Sequence, residues 1–312
     1  MILVFSLLNV IAAVLLYSRG APKAYPWKWA GAFALVLFVG AFYPLGTLER
    51  FVLFVEMTAA AIVGWHMSKH IHRAGTWIGI ALAVFVSFDA LRLLPTPDVN
   101  IAGNEIFGII RRPYVIAHPN IAAAWSLLLP LGAWTAITVV VTQSRGALVG
   151  LLTASVMRFV PRRYMVRTLI AGCAMIALAI MLRPNTAFDR LTFWEEGTRL
   201  FLARPLTGWG SGSYRESYKT ETPMNAITER TGMHTAHNAL LTIAAENGIA
   251  GVVTFMGFAG SLALTVRRSD NPLKWGALAF AVQQIFDDQW LHPVTSILFG
   301  LVVGACLPEH PI

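Results

Sequence analysis

Charge is what this chain has least of. Only 13% of its 312 residues are Asp, Glu, Lys or Arg, about half the share carried by a soluble domain. A surface that faces water on all sides cannot be built from that supply, which excludes an ordinary soluble enzyme. Cysteine is scarcer still. Cys173 and Cys306 both sit inside apolar runs, where a thiol reads as a small buried hydrophobe rather than half a disulfide or a metal ligand. No CxxC, P-loop or HExxH spacing occurs, so no motif supports thiol redox chemistry, a Walker-type nucleotide site or a zinc protease. Acidic residues number 16 against 24 basic ones, for a net charge of +8. The cations gather in short links between apolar runs, which is topology signalling rather than a nucleic-acid-binding face.

What the chain has in quantity is apolar length: 56% hydrophobic residues and a mean hydropathy of +0.61. The pattern is that of an all-α, polytopic helical membrane protein with about 9–11 transmembrane helices and one long, partly helical outer loop. Spans are expected at 2–17, 29–48, 51–67, 76–94, 146–160, 165–182, 238–266, 273–290 and 293–307. Residues 2–17 have no cation before them and Arg19, Lys23 and Lys28 after them. That order is the reverse of a cleavable signal, so the segment reads as a retained helix with its N-terminus outside. Placing the basic links 18–23, 68–73, 161–167 and 267–274 in the cytoplasm satisfies the positive-inside rule. Residues 95–118 and 183–237 then lie outside and the C-terminus inside. Residues 119–145 admit two readings: a hairpin turning near Pro130–Gly132 with arms too short to cross, or one crossing through 119–142 that carries Arg145 to the cytoplasm. In the long loop, Phe193, Trp194, Phe201 and Trp209 are anchors that a disordered segment would lack. TRLF (198–201) points to a helix and GWGSGSY (208–214) to a glycine-rich turn.

Several polar residues stand at the ends of these runs. Arg145 lies between two of them, where a cation is costly and usually has a partner or a function; the alternative is a snorkelling helix-end arginine. Gly146 beside it lets a bulky anion approach the backbone. Arg190 and Arg204 are fourteen residues apart and would share a face of an unbroken helix, and guanidinium forks suit phosphate oxygens. The competing reading pairs these arginines, with Arg199, to Asp189, Glu195 and Glu196; it is favoured for Arg199 and Arg204. His237 and Asn238 open the run at 238, with His234 one turn earlier. Histidine is the usual general base near neutral pH, although at a helix start it is more often a cap or a packed polar residue. No third metal ligand has a convincing spacing to the two histidines. His118, Pro119 and Asn120 begin another run, which reads as helix capping. Asp287 and Asp288 close the run from 273, as counter-charges to the arginines or as interface markers.

HPNIAAAW, TQSRGALVGLL, FDRLTFWEEGTRLFLARPLTGWGSGSY and AHNALLTIAAENGIAGVV follow one another in this order. In that order they resemble the O-antigen ligase and polymerase superfamily, from about residue 117 onward. The chain thus divides into N-terminal transmembrane helices, 1–116, and an O-antigen ligase-like region, 117–312, that includes the loop 183–237. The resemblance implies a metal-independent, inverting glycosyltransferase of the bacterial inner membrane. Such an enzyme moves a glycan from undecaprenyl pyrophosphate to a glycan or lipid A–core acceptor at the periplasmic face. By the same resemblance Arg145 and Arg190 bind the donor pyrophosphate and His237 is catalytic, with no cofactor or metal. His234, Asn238, Arg204 and Asn120, read from their places in the sequence, are supporting candidates. The segment between HPN and SRG is compressed to about the length of one span. Two rivals stand beside the ligase reading: a polymerase with the same donor chemistry, and a lipid-linked glycan transporter. A transporter would carry charges deep within several helices, whereas here the polar candidates gather at one side.

Overall fold

The computed structural model describes residues 2–91, 105–106, 110–111, 118–164, 166–168, 170, 172, 185–221 and 235–308. Among these the fold is all-helical, apart from a two-residue antiparallel ladder pairing Glu105–Ile106 with Ile110–Arg111. The helices are α1 (Ile2–Tyr17), α2 (Trp27–Gly40), α3 (Glu49–His66), α4 (Ser68–Ala90), α5 (Pro119–Leu128), α6 (Ala133–Thr142) and α7 (Arg145–Phe159). They continue with α8 (Asn185–Ala203), α9 (Tyr214–Glu221), α10 (Ala239–Val266), α11 (Leu273–Gln283) and α12 (Pro293–Ala305). Of these, α4 and α10 are long and apolar enough to cross a bilayer; Leu8–Tyr17, α2, α6 and α12 are shorter apolar helices. Most of the span expected at 165–182 lies outside the described residues. The run expected to continue to 290 stops as helix at Gln283, which leaves Asp287 and Asp288 in the connection to α12.

Small residues set the closest helix contacts. α3 lies along α12, and a Cβ on Gly304 would come 2.0 Å from Ala61 O, one on Gly300 2.2 Å from Met57 O, and one on Gly64 2.1 Å from Leu301 O. Gly300 and Gly304 form a GxxxG pair, the spacing that lets two helix backbones meet closely. α7 meets α11 in the same way, Gly150 against Ala279 O. Phe33, Phe54 and Phe258 pack with their rings 5.1–6.5 Å apart, joining α2, α3 and α10 in the main core.

Residues 119–142 form the hairpin. α5 and α6 are ten residues each and pack on one another across the turn Leu129–Gly132. Ten residues rise only about 15 Å, half of a bilayer's hydrocarbon core of about 30 Å. The chain therefore returns to the end it left, and Arg145 stands at the same end of the bundle as Asn120.

The segment after α8 is pinned rather than loose. Gly208, Gly210 and Gly212 all have positive φ, which only glycine adopts freely. Through them the backbone threads between α10 and the α2–α3 link: Gly210 N donates to Glu246 O at 2.8 Å, Ser211 N to Gly40 O at 3.1 Å, and Thr47 N to Ser211 O at 2.7 Å. Phe193, Leu200, Trp209, Tyr214 and Tyr218 form a second apolar cluster over this turn. Beneath it Arg50 of α3 donates to both oxygens of Glu246 at 3.2 Å, a buried ion pair tying α3 to α10. α10 itself kinks at Gly248 (φ 61°), and Ile249 N, freed by the kink, donates to Pro205 O at 2.8 Å.

Candidate functional site

One carboxylate organises the polar end of the bundle. Asp287, in the α11–α12 connection, is buried, and both its oxygens are engaged. Oδ1 accepts from its neighbour's backbone, Asp288 N, at 3.1 Å and faces His237 Nδ1 at 3.1 Å. Oδ2 accepts from Asn120 Nδ2 at 2.8 Å and pairs with Arg190 Nη2 at 3.6 Å. Burial pushes the Asp287 carboxyl up, but the Arg190 guanidinium beside it, helped by His237 and Gln289, outweighs burial and holds it well below the usual carboxylate range. Asp288 goes the other way. Burial raises it and the negative charge of Asp287 adds to the rise, against the pull of His237. Thr242 Oγ1 donates to Asp288 Oδ2 at 3.2 Å and accepts from Ala236 N at 3.1 Å.

His237 is held by its backbone as well as its ring. Its φ is +51°, an uncommon conformation for a residue with a Cβ, and one that persists only where the surroundings impose it. The next residue imposes it. Asn238 caps α10, its Oδ1 accepting from Leu241 N at 3.0 Å while its Nδ2 donates to Ile285 O at 2.9 Å. Ala239 N donates to Gln284 O at 3.0 Å. The start of α10 is thereby stitched to the segment that carries Asp287. Phe193 of α8 lies against the imidazole, ring centroids 5.0 Å apart. With Nδ1 turned to Asp287, Nε2 is the ring nitrogen left for chemistry, on a side chain 33% exposed.

Arg190 has one end of its fork on Asp287; its Nη1 is buried with no hydrogen-bond partner among the described residues. An unpartnered buried donor is costly. Arg145 opens α7 and is half-buried. A Cβ on its neighbour Gly146 would lie 3.3 Å from Phe286 Cβ, so α7 begins directly against the Asp287 connection.

The remaining candidates divide. Asn120 is in the cluster, and Asn238 builds its scaffold. Arg204 is not brought in. α8 ends at Ala203, since Pro205 follows and the residue before a proline is driven out of the helical region, so the shared-face argument for Arg190 and Arg204 fails. Arg204 stacks instead over the Trp209 ring at 3.8 Å. Arg199 pairs with Glu196 at 2.8 Å, as its competing reading had it. His118 caps α5, its Nδ1 accepting from Asn120 N at 3.3 Å. His234 lies outside the described residues. Asp287 was legible only as a counter-charge; its contact with a histidine fifty positions earlier left no local signal. The Arg50–Glu246 pair and Thr242 were missed for the same reason.

His237, Asp287 and Asp288 present ligand atoms within 4.8 Å of one another, so the trio is also a candidate cation site. The donor set argues against that use. Each oxygen of Asp287 already faces two nitrogen atoms, and the pair on Oδ2 includes the Arg190 guanidinium.

Residues 130–256 match the family model described as O-antigen ligase, a stretch that contains Arg145, Arg190 and His237 and stops before Asp287. No curated protein matches the chain.

Proposed function

We propose that this O-antigen ligase-family region makes the chain a polytopic inner-membrane glycosyltransferase that moves a glycan from undecaprenyl pyrophosphate to an acceptor hydroxyl at the periplasmic face. The observation that carries the reading is the convergence of His237, Asp287, Arg190 and Asn120, with one imidazole nitrogen and one guanidinium nitrogen still uncommitted. His237 Nε2 takes the proton as the acceptor oxygen bonds to the anomeric carbon. Asp287 holds the ring in the tautomer that leaves Nε2 basic, and stabilises the imidazolium that forms. The bond from the anomeric carbon to the pyrophosphate oxygen breaks on the opposite side, so the anomeric centre inverts and undecaprenyl pyrophosphate leaves. Arg190, through Nη1, and Arg145 stabilise charge growing on the leaving group, as preorganised donors do in a site shielded from water. They take the place of a metal. The α8–α9 segment, pinned across α10 and the α2–α3 link, forms the wall of the acceptor side.

The test is reconstitution in liposomes with lipid-linked glycan and candidate acceptors, with and without EDTA. Transfer is expected to be unchanged by EDTA, and Arg190→Ala to lower kcat by about 10²–10³-fold, the usual effect of removing one transition-state donor. Loss of activity in EDTA would hand the role to a cation on His237, Asp287 and Asp288. Transfer to lipid A–core identifies a ligase; lengthening of the lipid-linked chain identifies a polymerase. Export of the lipid-linked glycan with no new glycosidic bond would replace both with a transporter.

A further inference from the structure

At the far end of α3 from the histidine site, α1, α2 and α3 enclose a groove of about 420 Å³. Its walls are almost wholly apolar, with Val10, Ala13, Ala30, Gly31, Phe54 and Ala59 among them. Its lining also includes Tyr17 and Trp27, which flank the α1–α2 link and meet edge to face at 6.3 Å, and Trp27 Nε1 donates to Pro22 O at 3.1 Å. Aromatic rings of this kind sit at the headgroup level of a bilayer. The link is also cationic. Arg19, Lys23 and Lys28 are exposed, and no Asp or Glu occurs before Glu49. The end of α10 joins the same link, Thr265 Oγ1 donating to Ala24 O at 3.4 Å. Arg267 and Arg268 follow it directly, with Asp270 the one acid in that turn.

We propose that this groove holds one acyl chain of an anionic phospholipid whose phosphate is met by Arg19, Lys23 and Lys28. The inference rests on the membrane placement proposed above and concerns the leaflet opposite the histidine site. An apolar slot takes a hydrocarbon tail of any lipid. The α1–α2 link, basic and without an acid of its own, is what selects a headgroup with net negative charge over a zwitterionic one.

The chain supplies a clean test, because a Cβ on Gly31 would meet nothing within 4 Å. Gly31→Leu therefore fills the slot without pressing on backbone, and it replaces a poor helix former with a good one. The full-length protein in detergent is titrated with phosphatidylglycerol or phosphatidylcholine of identical tails and read by native mass spectrometry. One phosphatidylglycerol is expected to bind at least about tenfold more tightly than phosphatidylcholine at low salt. The triple variant Arg19→Gln, Lys23→Gln, Lys28→Gln is expected to weaken phosphatidylglycerol binding on the order of a hundredfold, and Gly31→Leu to weaken both lipids. Equal affinity for the two headgroups, unchanged binding by Gly31→Leu, or a second copy of the chain seated there in place of lipid would overturn the proposal. Release of the wild-type protein from membranes by alkaline carbonate would instead remove the membrane placement itself, so the two failures read differently.

Discussion

Asp287→Asn is expected to lower kcat for glycan transfer by about 10²–10⁴-fold while the KM for the lipid-linked donor moves only a few-fold. The carboxylate of Asp287 accepts from His237 Nδ1 and so leaves the lone pair on Nε2. An amide of the same shape can present a donor to Nδ1, and that favours the tautomer with its proton on Nε2, the wrong nitrogen for a base. A purely structural Asp287 would act otherwise, through loss of fold or of donor binding, since it also anchors Asn120 and Arg190. The split between kcat and KM separates the two. His237→Ala is expected to cost a similar factor, and the double variant to be no slower than His237→Ala alone, because groups acting as a unit do not add. Independent, multiplicative losses would show that the imidazole does not work through this carboxylate.

Gly304→Leu is the substitution expected to damage the fold most. A Cβ there falls 2.0 Å from Ala61 O, and backbone cannot swing aside as a side-chain tip does. α3 and α12 must part along their length, exposing the facing Met57 and Ala60 and disturbing the core that includes Phe33 and Phe54. The expected cost is about 3 kcal/mol or more, at the upper end for overpacking. It would be seen as aggregation on extraction and a lowered midpoint in thermal unfolding monitored by tryptophan fluorescence. Gly31→Leu, with open space around it, is the matched control and should leave that midpoint unchanged or raised. Equal behaviour of the two variants would mean that the α3–α12 contact is not the constraint it is taken to be here.

The two outcomes also mark where sequence reading worked and where it stopped. Apolar runs located α1, α3, α7, α10 and α12 to within a few residues, because burial and hydropathy follow the same side chains. TRLF and the glycines of GWGSGSY were legible because helix propensity and positive φ are local properties. The α5–α6 hairpin was legible only as one of two readings, since one long apolar helix and two half-length ones share a hydropathy profile; the positive-inside scheme and the Pro130–Gly132 break pointed to the hairpin. The early end of α11 has a local cause: Asp287 and Asp288 sit where a helix C-terminus disfavours negative charge. Pro205 likewise forbade carrying α8 through Arg204. At the site, the residue types His237, Arg190 and Asn120 were visible one by one, but their meeting on Asp287 depends on packing between segments up to 167 positions apart.

The α5–α6 hairpin has a consequence for parity. Under the membrane placement proposed above, these twenty-four residues enter and leave by the same door, so residues 119–142 add nothing to the count of sides changed. A compartment reporter inserted just before His118 and another just after Thr142 should therefore give the same signal. Any insertion that straightened Leu129–Gly132 into continuous helix would add one crossing and send the SRG arginine, with every segment after it, to the opposite face.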